Sequence, residues 1–331
     1  MNRRAFVTGL GAVLAAATAA RAQQAGNVPR VGILLPGFRP SPERIARGPF
    51  IVPMRELGWV DGRSVVFERR YANERPELLP MLARELIASR VDVIVTSSTP
   101  ATRAAKEATA TIPIVFAEVS QPLSQGFAAS LTRPGGNVTG IADVSLELMP
   151  KRFELLKELV PGATRVALLV EPEYYLPNII QGVLNDSKRA SRALGLRLET
   201  FEVRTSENFD AAFARIRQSR AEGLTFIDSL LFFGQRARIA DFAIKQRLPL
   251  VAALPEQAEA GALLVYNGNQ RQIWRQAAMY VDRILRGAKP ADLPVQDPTA
   301  FELIINRRTA RAMRLTIPPS LLLRADQVIE Q

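Results

Sequence analysis

Short runs of Val, Ile and Leu recur along this chain, and amphipathic segments separate them. That alternation narrows the possible folds more than any other feature. Strands are expected at 31–35, 65–68, 91–95, 112–116 and 138–141, with helices reaching residue 57 and spanning 77–88 and 100–108. After a Pro-Gly-Gly-Asn turn at 134–137 the pattern restarts. Helices are expected at 146–159, 179–194, 209–219, 236–246 and 272–285, and strands at 165–170, 196–203, 223–227, 248–253, 263–266 and 301–305. Continuous apolar strands between amphipathic helices imply a parallel sheet covered on both faces. Gly58, Gly195 and Gly287 stand where helices should end, as C-capping glycines do. On the 146–159 helix, Arg152, Glu154, Lys157 and Glu158 read mostly as the polar side. The restart near 141–147 divides the chain into two α/β halves. Open α/β sheets bind ligands beyond the carboxyl ends of their strands, so two such halves side by side place their binding edges in a common cleft.

Two residue types are missing, and this excludes much chemistry. The 331 residues include no cysteine and no histidine. Disulfides, thiol nucleophiles, thiolate metal sites, Ser-His-Asp triads and imidazole bases are therefore impossible. No metal, no cofactor and no catalytic residue is expected. Net charge is +11, but acidic residues are interspersed with the arginines. No zinc finger, helix-turn-helix or basic-aromatic stripe accompanies that charge, so nucleic acid is not the expected partner.

Residues 1–22 read as a cleaved export signal. A basic head with Arg3 and Arg4 precedes an apolar run from Val7 to Ala19, and Ala20-Arg21-Ala22 supplies small residues at the cleavage positions. The run is shorter than the roughly 20 residues a membrane helix needs. The paired arginines followed by Phe6 suggest the twin-arginine route, and general secretion remains the alternative. Without a cysteine to acylate, the exported chain is expected to be free and soluble in the periplasm.

Several blocks, in order, resemble one family. They are Arg55-Glu56-Leu57-Gly58-Trp59-Val60-Asp61-Gly62, then Asp92-Val93-Ile94-Val95-Thr96-Ser97-Ser98-Thr99-Pro100-Ala101, then Ile112-Pro113-Ile114-Val115. Residues 130–140 (Ser-Leu-Thr-Arg-Pro-Gly-Gly-Asn-Val-Thr-Gly), 287–296, 301–306 and 315–322 continue the likeness. Together they resemble the ABC-transporter substrate-binding proteins of the tryptophan/tyrosine-binding type. The resemblance implies a periplasmic binding protein of the first structural type: two Rossmann-like lobes with parallel sheets, joined by hinge segments. Lobe 1 would comprise 29–141 plus about 267–296, and lobe 2 would comprise 142–266 plus about 297–331. The implied function is a monomeric receptor that takes a small amino-acid-like or carboxylate-bearing ligand and docks transiently on a membrane ABC permease. Two alternatives stay open: a ligand sensor for a signalling receptor, and an envelope enzyme using Glu118 and Asp228 as acid and base across the cleft.

The candidate ligand contacts lie at expected strand ends. Ser97, Ser98 and Thr99 close the third strand, with Thr99 a plausible N-cap and Pro100 the first helical residue. Free N–H groups and the helix dipole favour an anion there, and the resemblance implies a carboxylate. After the fourth strand come Glu118, Ser120 and Gln121. Glu118 offers a carboxylate to a cationic group, while Gln121 stands where many relatives have an aspartate. Phe38 follows the first strand as a possible apolar wall. In the second half, Tyr174 and Tyr175 could stack on a planar group. Asp228 could meet an ammonium or cap the helix that follows. Tyr266 lies near the returning hinge, and Leu254-Pro255-Glu256 lacks the aromatics many relatives carry there.

Overall fold

The computed structural model describes residues 28–330, so the export signal read from residues 1–22 lies outside the described residues. Two sheets organise the chain. The first has five strands: β1 (Arg30–Leu35), β2 (Val66–Tyr71), β3 (Val93–Ser97), β4 (Ile114–Ser120) and β5 (Val138–Asp143). They lie in the order β2-β1-β3-β4-β5, and every pairing is parallel. The second holds β6 (Arg165–Val170), β7 (Arg197–Glu202), β8 (Leu224–Phe226), β9 (Leu250–Ala252), β10 (Leu264–Gly268), β11 (Phe301–Asn306) and β12 (Gln327–Ile329), in the order β12-β11-β10-β9-β8-β6-β7. Its strands are parallel except where β10 meets β11.

The period-two geometry of a strand explains how sheet 1 buries both faces. Val31, Val93, Val95 and Val115 point to one face, and Leu34, Ile94, Ile114 and Phe116 to the other. The second face is covered by α3 (Leu79–Ala88) and α4 (Thr99–Ala108), through Leu82, Leu86, Ala101 and Ala105. The first is covered by α11 (Gln270–Leu285), which lays Ile273, Ala277, Val281 and Ile284 across it. Each fully buried Val, Leu or Ile contributes roughly 1.5–3 kcal/mol relative to exposure. Helix α11 follows a strand of sheet 2 in sequence yet packs on sheet 1, so the chain returns to the first lobe before re-entering the second at β11. Lobe 2 packs about one continuous core that includes Phe153, Leu168, Phe201, Phe226 and Leu250.

The segment before residue 57 departs from the expected single helix. It forms α1 (Pro42–Ala46) and α2 (Ile51–Glu56) with a break at Gly48-Pro49, because proline removes an N–H donor and clashes with the preceding turn. Three short helices escaped the sequence reading, α10 (Pro255–Ala260), α12 (Arg307–Met313) and α13 (Pro319–Arg324), while α8 (Leu230–Gly234) is the short helix considered after Asp228. The intervening helices are α5 (Met149–Leu159), α6 (Pro177–Ala193), α7 (Phe209–Ser219) and α9 (Arg236–Gln246). Among the described residues, no helix is long and apolar enough to cross a membrane.

Candidate ligand-binding cleft

Strand β3 delivers Ser97 and Ser98 to its carboxyl end, and α4 begins one residue earlier than the sequence suggested. Ser98, not Thr99, is the N-cap, and Thr99 is the first helical residue. The reason is visible in the backbone. Ser98 adopts φ 71° and ψ 157°, a region reached almost only by glycine. Its hydroxyl makes no capping bond, and Oγ is buried without a partner. The first turn of α4 therefore keeps its N–H groups free of a side-chain cap. Thr99 is buried, and Thr96 and Thr102 hydroxyls meet behind it at 2.7 Å.

Strand β4 carries a second strained corner. A bulge falls between Ala117 and Val119, and Glu118 within it has φ 60°. Gln121 follows at φ 52° and donates from Nε2 to Glu147. Left-handed conformations at non-glycine residues cost of order 1–3 kcal/mol each and collect at ligand-binding corners. Burial first, then the nearby Asp143 and Glu256, together raise the Glu118 carboxyl to about 8, with the Trp274 indole working against them. Glu118 retains partial exposure, yet its Oε1 is buried and unpartnered.

Between the lobes lies a polar network. Ser120 Oγ donates to Asp143 Oδ2 at 2.7 Å, and Asn267 Nδ2 donates to Asp143 Oδ1 at 3.1 Å. Tyr175 donates to the Asp228 carbonyl at 3.1 Å and meets Tyr174 edge-on, ring centroids 4.8 Å apart. Burial holds both tyrosine hydroxyls well above their usual range, so they act as neutral donors. Asp228 is held inside lobe 2: Gln257 Nε2 donates to Oδ1 at 2.8 Å, and Arg152 Nη1 reaches Oδ2 at 3.3 Å. Burial pushes the Asp228 carboxyl up, and Arg152 and Gln257 work against that push. Arg152 also donates to the Tyr266 carbonyl at 3.5 Å.

The structure thus joins Ser120, Tyr174, Tyr175, Asp228 and the Tyr266 backbone through shared partners. Thr99 and both tyrosines also line one cavity of about 640 Å³, whose walls come from α4 on one side and residues 172–177 on the other. Phe38 stands apart, 61% exposed on the loop after β1. The helix after Asp228 is capped by Ser229, whose Oγ accepts from the Phe232 N–H at 3.2 Å.

Arg152 corrects a second expectation. It is only 1% exposed, not part of the polar side of its helix. Its spacing carried the signal: three residues after Met149 and four before Leu156 it shares their buried stripe, and its charge masked this. Asp143, Gln257, Asn267 and Trp274 were also missed. Each acts through a partner far away in sequence, such as the 124 residues between Asn267 and Asp143.

Known proteins share this fold. A conserved domain protein from Vibrio cholerae O1 biovar eltor has a TM-score of 0.81 at 25% identity, covering 91% of this chain and 100% of that one. The ABC domain from Streptococcus pneumoniae in complex with L-Trp has a TM-score of 0.80 at 23% identity, covering 92% of this chain and 100% of that one. Tyrosine-binding protein of Clostridioides difficile (strain R20291) is 25% identical over 277 residues, 83% of this chain and 77% of that protein. The architecture is the two-lobed α/β fold of periplasmic binding proteins. A family model described as ABC transporter substrate binding protein matches residues 33–329, and the chain belongs to that family.

Proposed function

We propose that this protein is a periplasmic receptor of an ABC importer, taking an amino-acid-like ligand in the interlobe cleft and presenting it to a membrane permease without chemical change. Membership of the substrate-binding family supports the role, and the relatives named for tyrosine and found with L-Trp support the ligand class. The observation that carries the reading is the uncapped start of α4, where the Ser98 hydroxyl is buried and unpartnered and the next residue, Thr99, lines one cavity with Tyr174 and Tyr175. Backbone N–H donors and the helix dipole there suit a carboxylate, and the tyrosines suit the rest of the molecule. The lobes would be 29–141 with about 267–296, and 142–266 with about 297–331. A monomer suffices, because both walls of the cleft come from one chain.

The test is a thermal-shift screen of the exported form against the amino acids. Binding to the native state alone raises the melting temperature by mass action. The hit should be recovered unchanged after hours with the protein. Replacing Ser98 and Thr99 together with Ala should weaken it about 10–100-fold, since hydrogen bonds to a charged group contribute about 1.5–3 kcal/mol each. Stability should hold, because neither side chain caps the helix through a hydrogen bond. Accumulating product, or unchanged affinity in the double variant, would refute the reading.

A further inference from the structure

We propose that Glu74 of lobe 1 and the Gly234–Arg236 corner of lobe 2 form a clasp across the rim of the cleft, and that this clasp sets how much of the protein is closed before a ligand arrives. The proposal adds to the receptor reading the means by which closure is set. It rests on two lobes that move, not on which ligand they hold. It begins with a strained turn. Asn73 and Glu74 follow β2 in consecutive left-handed conformations, φ 53° and φ 60°. Asparagine takes that region readily and glutamate does not. Two backbone bonds hold the turn on the loop after β1: the Asn73 N–H donates to the Gly37 carbonyl at 3.1 Å, and the Glu74 N–H donates to the Pro36 carbonyl at 2.7 Å. Strain of this kind persists where the surrounding structure over-determines it, at clamps and binding corners.

Lobe 2 receives Glu74 in a fitted corner. Helix α8 ends in Gly234, and a Cβ on that residue would stand 3.0 Å from Glu74 Oε2. The absence of a side chain is what lets the carboxylate lie against the helix. Beyond it, Arg236 Nη1 lies 3.5 Å from Glu74 Oε1. The same nitrogen donates to the Phe233 carbonyl at 2.7 Å, and the guanidinium sits 4.5 Å over the Phe233 ring. Arg236 is therefore in place before Glu74 reaches it, and little side-chain freedom is lost when the pair forms. Position gives the pair leverage. Glu74 lies beyond β2, one edge of sheet 1, whereas the crossing to lobe 2 at 143–149 leaves from β5, the opposite edge. The Ser120–Asp143 and Gln121–Glu147 bonds sit beside that crossing. Rotation about the crossing separates the far edge most, so the clasp breaks as the lobes open. Helix α8 also begins at the Asp228-Ser229 corner of the cleft and is anchored by Phe232, which is fully buried. The lobe 2 wall of the cleft and the clasp are thus one piece.

Distance measurement by electron spin resonance tests this without ligand. The chain has no cysteine, so Arg84→Cys and Gln181→Cys provide two label sites and no others. Both residues are exposed, on α3 and α6, whose first turns wall one cavity from opposite lobes. Arg236→Glu sets two carboxylates against each other and should lower the closed-to-open ratio about three- to tenfold. Adding Glu74→Arg should bring the ratio back to within about twofold of the starting protein. Gly234→Ala keeps both charges and suits a helix, yet should also shift the ratio toward open. Distances unchanged in Arg236→Glu or in Gly234→Ala, or a reversed pair as open as the single variant, would overturn the proposal. No ligand enters this experiment, so such a failure leaves the receptor reading standing; that reading is decided by the thermal-shift screen.

Discussion

Glu118 concentrates the physical tension of the cleft in one side chain. It sits at φ 60° in a bulge, and burial lifts its carboxyl from 4.5 to about 8. A carboxyl raised on folding favours the folded state while protonated. That contribution is complete below about pH 4.5 and disappears as pH climbs through about 8. The ligand-free protein should therefore lose stability between about pH 5 and 8, and Glu118→Gln should flatten the slope in that window. The wild-type slope from this group cannot exceed about 1.4 kcal/mol per pH unit, and partial exposure reduces it. Urea unfolding at several pH values measures it; identical slopes in both proteins would show that Glu118 is not the buried acid described. That this glutamate stands near the carboxyl end of the fourth strand was legible, but the extension of β4 to Ser120 and the bulge that holds Glu118 within it were not. Such a bulge depends on pairing with β5, which no local pattern encodes. Ser98 is similar. Its place at the end of β3 was legible, whereas its glycine-like backbone, and hence its role as N-cap in place of Thr99, was not.

Among the elements, strands were the easiest to read, because β-branched apolar runs such as Val93-Ile94-Val95 have little alternative to a buried parallel sheet. Short helices were the hardest. Helix α10 and helix α8 have six and five residues, too few to show a period, and depend on caps and packing for their existence. Arg152 shows the opposite failure: the period was present, but a charged side chain on an apolar stripe argued for solvent, and only Asp228, 76 residues away, reverses that. The pairing of β4 and β5 offers an element-scale test. Phe116 faces Gly140 across the ladder, Gly140 has φ 156°, and a Cβ there would lie 2.1 Å from the Phe116 carbonyl oxygen. Gly140→Ala must push the strands apart, an overpacking that costs about 1–3 kcal/mol or more. Differential scanning calorimetry should show a melting temperature lower by roughly 2–4 °C for each kcal/mol. A melting temperature within one degree of wild type would mean that the two strands are not held this closely.

On the scale of the whole molecule, polar contacts bridge the two lobes. Arg236 of lobe 2 lies 3.5 Å from Glu74 of lobe 1. Partly exposed ion pairs of this kind contribute about 0–1 kcal/mol, enough to bias a lobe arrangement and too little to lock it. The chain passes between sheets at 143–149, 268–270 and 296–301, so relative rotation needs changes in only a few backbone angles. A ligand bound by the α4 start on one side and by residues of lobe 2 on the other gains affinity only when both lobes reach it, which makes closure part of binding. Two-lobed architecture was legible from the restart of the strand–helix pattern; the return of α11 to lobe 1 is a packing choice set by the stripe from Ile273 to Ile284. Small-angle X-ray scattering, with and without saturating amounts of the amino acid that most raises the melting temperature, tests the central claim most directly. The account predicts a smaller radius of gyration in the bound form, while an unchanged radius at saturation shown by calorimetry would contradict a receptor that closes its lobes on its ligand.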